Sequence, residues 1–315
     1  NDNLEIKLNK IKFKLDISEI NLYLETTEPN IVYRNADIPV DNLKVYIDFL
    51  SIFKSSPKVK KINLDLKELD VAQLKKISFI IKPSNFKNFL TNNILNGKIF
   101  SNIEFYLNKD NQLEDFITKG KVSDLDTKIT DRIILKNSNF SFFADNTDVL
   151  IKNFYGKFNG VKISEGDIKL NFSKDISLNS NFVSEINFTS NVFKNYSNLI
   201  KNNNVLQYGE NLIANLNNTV NLKFDKTYKL ENFNFKSNGD LKKANFKFKK
   251  EIKFDYFKES FKDIYLKDSE IFLNVSSKEK IAKIIGKYSL NNKLFSSFSL
   301  NNQNLGNTSI FDVEL

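Results

Sequence analysis

The chain contains no cysteine, histidine, methionine or tryptophan, and only nine glycines and four prolines in 315 residues. Without cysteine there is no disulfide and no thiolate metal site. Without histidine the usual general base, the commonest transition-metal ligand and the serine triad disappear together. The scattered glycines form neither a G-x-x-x-x-G-K-[ST] phosphate loop nor a G-x-S-x-G elbow. No run of about 18 apolar residues occurs, so no membrane-spanning helix is expected, and no signal peptide opens the chain. The first residue is Asn1, not Met, as expected of a fragment or a processed form, and an anchor could precede it. Together these absences describe a non-enzyme with no catalytic residues, no metal and no cofactor.

Charge is plentiful but of a plain kind. The net charge is +9, and arginine occurs only at Arg34 and Arg132. Abundant Asn, Lys, Ile and Phe are the mark of an AT-rich genome, which accounts for the excess of lysine; attraction to anionic lipid head groups or nucleic acid is the functional alternative. Lysine is a loose point charge, poorly suited to bidentate phosphate recognition. In the densest basic run, Lys242 to Lys250, strand geometry turns Lys247 and Lys249 away from Phe246 and Phe248. Those aromatics cannot stack bases beside the lysines, so nucleic acid is not an expected partner. The carboxylate pairs Asp124/Asp126 and Asp145/Asp148 are candidates for a hard cation or a glycosidase pair. Solvated strand edges or turns are the plainer reading.

What is present is alternation. Leu4 to Leu8, Asp16 to Leu22, Asp167 to Phe172, Val220 to Phe224 and Asn245 to Phe248 each switch apolar and polar residues one for one. A period of two puts one set of side chains on each face of a sheet. Hydrophobic residues make up 41% of the chain and charged residues 27%, the balance of a folded protein. The expected fold is mainly β: a long twisted antiparallel sheet with one apolar and one charged face. Strands are predicted near 3–15, 18–26, 41–50 and 59–67, with turns at Glu28-Pro29 and Ile38-Pro39. From Gly97 a meander follows to the end of the chain. Its turns are read at Asn108 to Asn111, Asn159-Gly160, Glu165 to Asp167, Asn238 to Asp240 and Asn291-Asn292.

The period changes twice. Asp70 is placed to cap a helix carrying Val71, Leu74, Ile77 and Ile80 or Ile81, stopped by Pro83. Ser84 opens a second helix through Phe86, Phe89, Leu90 and Ile94. The pair could cap the sheet or pack on it. Near 191–203, Val192, Phe193, Tyr196, Leu199 and Ile200 have helical spacing. Two divisions are expected: residues 1–96, with the helical pair, and the meander 97–315.

The apolar face is the functional question. Inward positions in the first segment are Ile20, Leu22, Leu24, Val45, Ile47, Ile62 and Leu64. In the meander they are Ile103, Phe105, Phe140, Phe142, Ile168, Leu170, Phe172, Ile186 and Phe188. Val220, Leu222, Phe224, Phe233, Phe235, Phe246 and Phe248 continue the set. Each such residue gains about 1.5–3 kcal/mol if covered. Left wet, the face would exceed the few hundred Å² that soluble proteins expose. A second sheet could close a sandwich or solenoid, a membrane could surround an outer-membrane barrel, or bound acyl chains could fill a groove. Alternation alone does not separate these covers.

The first 80 residues carry a resemblance. Ile20-Asn21-Leu22-Tyr23-Leu24 followed by Glu28-Pro29-Asn30-Ile31 resembles the opening of AsmA-like proteins. Leu43 to Phe53 is similar to their apolar strand and short turn. Val59 to Ile77, a basic strand whose Leu69-Asp70 leads into Ala72-Gln73-Leu74-Lys75-Lys76-Ile77, matches their usual phrase. The superfamily includes TamB and the YhdP-type proteins. This resemblance implies a repeating, taco-like β-groove in the periplasm, held to the inner membrane by an N-terminal anchor. It implies phospholipid transfer towards the outer membrane, with acyl chains as ligand, possible envelope protein partners and no catalytic residues.

Overall fold

A computed structural model describes residues 4–16, 21–48, 51, 58–78, 85–129, 133–173, 175–195, 206–227, 229–253, 260–305 and 308–315. The described strands belong to one antiparallel, nineteen-stranded sheet, accompanied by three short helices. The chain divides into two compact units, residues 1–131 with 135–152 and residues 132–134 with 153–315.

In the first unit, β1 (Leu4–Lys7) and β2 (Lys12–Asp16) replace the single strand expected over 3–15. Next come β3 (Asn21–Thr27), β4 (Asn30–Tyr33), β5 (Ala36–Ile47), β6 (Val59–Leu66), β7 (Leu69–Asp70), β8 (Ile94–Leu107), β9 (Leu113–Lys128) and β10 (Ile134–Ala144). Pairing runs β2-β3-β5-β6-β8-β9-β10, with β4 on β5 and β1 on β4. The turn expected at Ile38-Pro39 lies earlier. Arg34 and Asn35 have φ of 49° and 62° and close the β4–β5 hairpin, the left-handed pair of a type I′ turn. Pro39 sits inside β5, opposite Asn30.

Helix α1 (Val71–Ser78) begins where its cap was read. The Asp70 carboxylate accepts the Gln73 N–H at 2.8 Å, and the Gln73 side-chain oxygen accepts the Asp70 N–H at 2.9 Å. This reciprocal capping box satisfies two of the helix's orphan donors. Leu74 and Ile77 then pack on a core of Ile31, Val40, Leu43, Leu66 and Leu69. Helix α2 (Asn85–Asn92) leads directly into β8. Ile80, Ile81, Pro83 and Ser84 lie outside the described residues.

Strand β11 (Asp148–Phe158) is divided between the units at residue 152. In the second unit, β12 (Val161–Asn171), β13 (Ile176–Phe188), β14 (Leu206–Phe224), β15 (Leu230–Ile252), β16 (Phe261–Ser276), β17 (Glu279–Ser289), β18 (Ser296–Leu305) and β19 (Thr308–Glu314) follow in order. From β12 onward each strand pairs antiparallel with the next. Helix α3 (Ser190–Asn195) stands between β13 and β14; Tyr196, Leu199 and Ile200 lie outside the described residues. The turn expected at Asn238-Gly239-Asp240 is not a turn. One 23-residue strand, β15, runs straight through it, and Gly239 pairs with Leu216 on one side and Ile271 on the other. A Cβ at Gly239 would lie 2.1 Å from the Asn215 carbonyl oxygen, so glycine is required by the close approach of β14.

Two interactions are open to direct test. Replacing Asp70 by Ala removes the capping box, and a thermal melt of the variant is expected to show a loss of about 0.5–2 kcal/mol. Glu25 in β3 is buried. Its carboxylate accepts from the Lys14 ammonium of β2 and from Asn42 Nδ2, which hold it below the usual carboxylate range. A lowered native pKa stabilises above the unfolded value, about 4.3, and that contribution is lost as pH falls through the native value. The protection of β2 amides, measured as exchange relative to the intrinsic rate at each pH, is therefore expected to fall on acidification through that window, and Glu25→Gln to show low protection at both ends of it.

Candidate functional site

Long strands carry an irregularity near their middle. Positive φ occurs at Asp124 in β9, Asn137 in β10, Asn153 in β11, Glu165 in β12, Asn211 in β14 and Asp268 in β16. Register shifts accompany them between Ser164 and Asp167, Glu210 and Ile213, and Lys267 and Glu270. Bulges of this kind bend a strand and increase its twist. Asx residues dominate because they tolerate the left-handed region. The Glu165-Gly166-Asp167 turn of the sequence is one of these bulges. Asp126, a candidate cation ligand, accepts the Asn137 N–H at 2.9 Å, and the Asp124 N–H donates to Asn139 Oδ1. Side chains there replace ladder bonds that the bulge removes. Asp145 Oδ1 accepts from the Thr147 and Asp148 N–H groups, closing the β10–β11 turn. One carboxylate of each pair, Asp126 and Asp145, is thus engaged in backbone geometry.

On the apolar side, small residues recur next to these bends. In the second unit none of Ala214, Ser237, Ala244 and Ser269 is more than 2% exposed, and Leu216, Leu241 and Leu266 are buried with the two alanines. Glycine occupies the tightest positions. A Cβ at Gly286 would meet the Ser269 side chain at 2.0 Å, and one at Gly120 would strike the Phe142 ring at 2.7 Å. A polar rung crosses the face here. Asn218 Nδ2 donates to Ser184 Oγ at 2.9 Å and to the Leu216 carbonyl oxygen, and Ser237 Oγ donates to Asn218 Oδ1 at 2.8 Å. The lining expected to be continuously apolar is interrupted by this closed network.

The predicted lining residues fall together by register. In the first unit Leu22 faces Ile47, while Leu24, Val45, Ile62 and Phe105 form one cross-strand row. Leu64 and Ile103 form the next. Part of this face is covered by the chain itself, since Val45, Ile62, Leu64 and Ile103 pack on the core that α1 closes. Phe140 and Phe142 share a face of β10, and Phe142 lies against Gly120. In the second unit Leu170, Leu178, Leu222 and Phe233 form a row, and Ile168, Ser180, Val220 and Phe235 the one beside it. Phe224 faces Ile176, Ile186 faces Ala214, and Phe188 faces Leu212. Phe172 lies beyond β12 and is 40% exposed. Ile20 is outside the described residues.

Phe246 and Phe248 lead to the largest apolar hollow described, a cavity of about 1080 Å³. Phe246 of β15, Ile264 and Leu266 of β16, and Ile284 and Tyr288 of β17 form its inner part. Phe298 and Leu300 of β18, Val313 of the last strand and Leu315 just after it form its outer part. Val313 and Leu315 are more than half exposed, so the hollow opens to solvent there. Phe248 stacks edge-on against Phe261 at 6.0 Å, and Tyr288 against Phe298 at the same distance. Lys267 Nζ stands 4.0 Å from the Phe295 ring centroid.

The chain matches no family model, no curated protein and no solved structure. Its chemistry is therefore read from the cavity alone. Among the described residues the cavity offers apolar contact and, Tyr288 and Ser296 apart, no polar side chain. Among the described residues no cluster of three or more Asp or Glu is placed to hold a metal. A smaller hollow of about 510 Å³, lined by Arg34, Asn35, Asp37, Gln73 and Lys76 among others, lies between the β4–β5 turn and α1 and is polar and mixed in charge.

Sequence reasoning named Phe246 but missed the outer lining. The alternation Phe298/Leu300 and Val313/Leu315 was legible. The facing of β17 was not, because Ile284 and Ile285 are adjacent and the bulge at 268–269 decides that Ile284 turns inward. Asn218→Leu provides a test of the polar rung: with Ser184 and Ser237 left unpaired, unfolding is expected at a cost of about 1–3 kcal/mol. An unchanged melting temperature would mean that those hydroxyls reach water.

Proposed function

We propose that this chain is a lipid-binding segment of an AsmA-like, bridge-like phospholipid transfer protein, working in the periplasm between inner and outer membranes. The observation that carries the reading is the open cavity of about 1080 Å³ on the apolar face of β15–β19. Its lining can solvate hydrocarbon and little else. Each methylene taken from water into such a lining gains about 0.8 kcal/mol. A tail is held by many weak, similar contacts, so it shifts along the lining without any one contact acting as a latch. The head group stays in water where the hollow opens, beside Val313 and Leu315. The mechanism is passive binding and sliding. The family part of the proposal rests on the sequence phrase in which Leu69-Asp70 leads into Ala72 to Ile77.

Protein purified without detergent and extracted for lipid mass spectrometry is expected to carry phospholipid. Ile284→Asp and Leu300→Asp each place a charge in the cavity wall. They are expected to lose most of the bound lipid while keeping the wild-type far-ultraviolet circular dichroism. A lipid-free wild type that also fails to take up labelled fatty acid would overturn the reading.

A further inference from the structure

Helix α3 stands in the connection between β13 and β14, which pair with each other. It carries a residue that the apolar face has been shaped to receive. Phe193 is 7% exposed. Its ring packs edge-on against Phe188 at 5.4 Å and Phe246 at 6.5 Å between centroids. Beneath it lies Gly209, cross-strand neighbour of Phe246. A Cβ at Gly209 would come within 2.6 Å of the Phe193 ring. Gly209 is not among the glycines with positive φ, so its backbone does not demand glycine; the ring above it does.

Phe246 has a second role. It is also part of the cavity lining, so α3 stands at the inner end of the cavity with one aromatic ring between. A six-residue helix is far too short to be stable by itself in water. Its attachment depends on side chains such as Phe193 seated on the face. An aliphatic tail reaching past Phe246 would make the same kind of contact with Gly209 and Phe188 that the ring makes now.

We infer that the Gly209–Phe188–Phe246 seat is a binding site for an aliphatic lipid tail, held in this structure by the chain's own Phe193. The inference rests on the lipid-binding reading above. The ring and the tail compete for one place, so apparent tail affinity is reduced by the fraction of molecules in which the ring is seated. Phe193 thereby sets how far a tail extends along the face. Displacing α3 joins the cavity on β15–β19 to the rows of apolar residues on β13 and β14.

The test uses pyrene-labelled palmitic acid and three variants: Phe193→Ala, Gly209→Ala and the double. The first removes the competitor and leaves the seat open; the second puts a methyl where both the ring and a tail would lie. Phe193→Ala is expected to bind the probe about tenfold more tightly than wild type, as removal of an occupant seated in about nine molecules of ten requires. Gly209→Ala is expected to show no such gain, and the double variant to lose the gain of Phe193→Ala, because the methyl fills the seat. A folded Phe193→Ala that binds the probe as wild type does, or a double variant that binds as tightly as Phe193→Ala, would overturn the inference while leaving the lipid reading in place. A wild type and variants that all fail to bind would remove both. A second measurement does not depend on the stability of those variants. The chain has no tryptophan, so Phe193→Trp makes a single-indole reporter of the seat. Its emission is expected to be blue-shifted in the free protein and to move red when unlabelled palmitate binds. Emission that stays blue while palmitate is bound would show that the seat is never vacated, and the inference would fall.

Discussion

A bent strand has an inside, and the inside has little room. That constraint governs the second unit more than any single contact. Strands of 19 and 23 residues, β14 and β15, carry an apolar row along one face, and bulges turn that row in on itself. On the inner side of the bend the small residues Ala214, Ser237, Ala244 and Ser269 are almost completely buried, and Ala214 and Ala244 share one core with Leu216, Leu241 and Leu266. Farther along the face, larger apolar residues of β15–β19 stand apart and leave a hollow.

Polar residues at the bend obey the same rule. Asn218 is buried among apolar neighbours, a costly position unless its amide is satisfied. Ser184, Ser237 and the Leu216 carbonyl satisfy it. The bend is thus fixed by shape and by directional bonds together, while the flanks are held by non-directional apolar contact. Two helices cover parts of the face differently. In the first unit α1 is capped at its start and seated on a closed core through Leu74 and Ile77. In the second, six-residue α3 has a single fully seated ring.

Much of this was legible in the residues. Alternation from Val220 to Phe224 and from Asn245 to Phe248 told which side chains share a face, because period two leaves no other solution for a strand. Asp70 announced α1 through short-range cap chemistry. Bends were misread. Glu165-Gly166-Asp167 and Asn238-Gly239-Asp240 have the composition of turns, yet in the structure neighbouring strands continue to pair through them. Local sequence reports that a residue tolerates unusual φ or close approach. Whether the chain then reverses or merely kinks depends on ladder partners tens of residues away. The seat of Phe193 was hidden for the same reason: Gly209 looks like any strand glycine until the helix that covers it is in place.

The pairing pattern has an evolutionary corollary. From β12 to β19 each strand is bonded to its immediate successor in the chain, so nearly every ladder is local and no segment waits for a distant partner. A duplicated hairpin could be spliced in between two existing strands without disturbing the rungs elsewhere. Inserting strands by twos would return the polypeptide to the same edge and keep its oily side facing the same way. Length in such a molecule is a quantity that gene duplication can adjust by small, neutral increments.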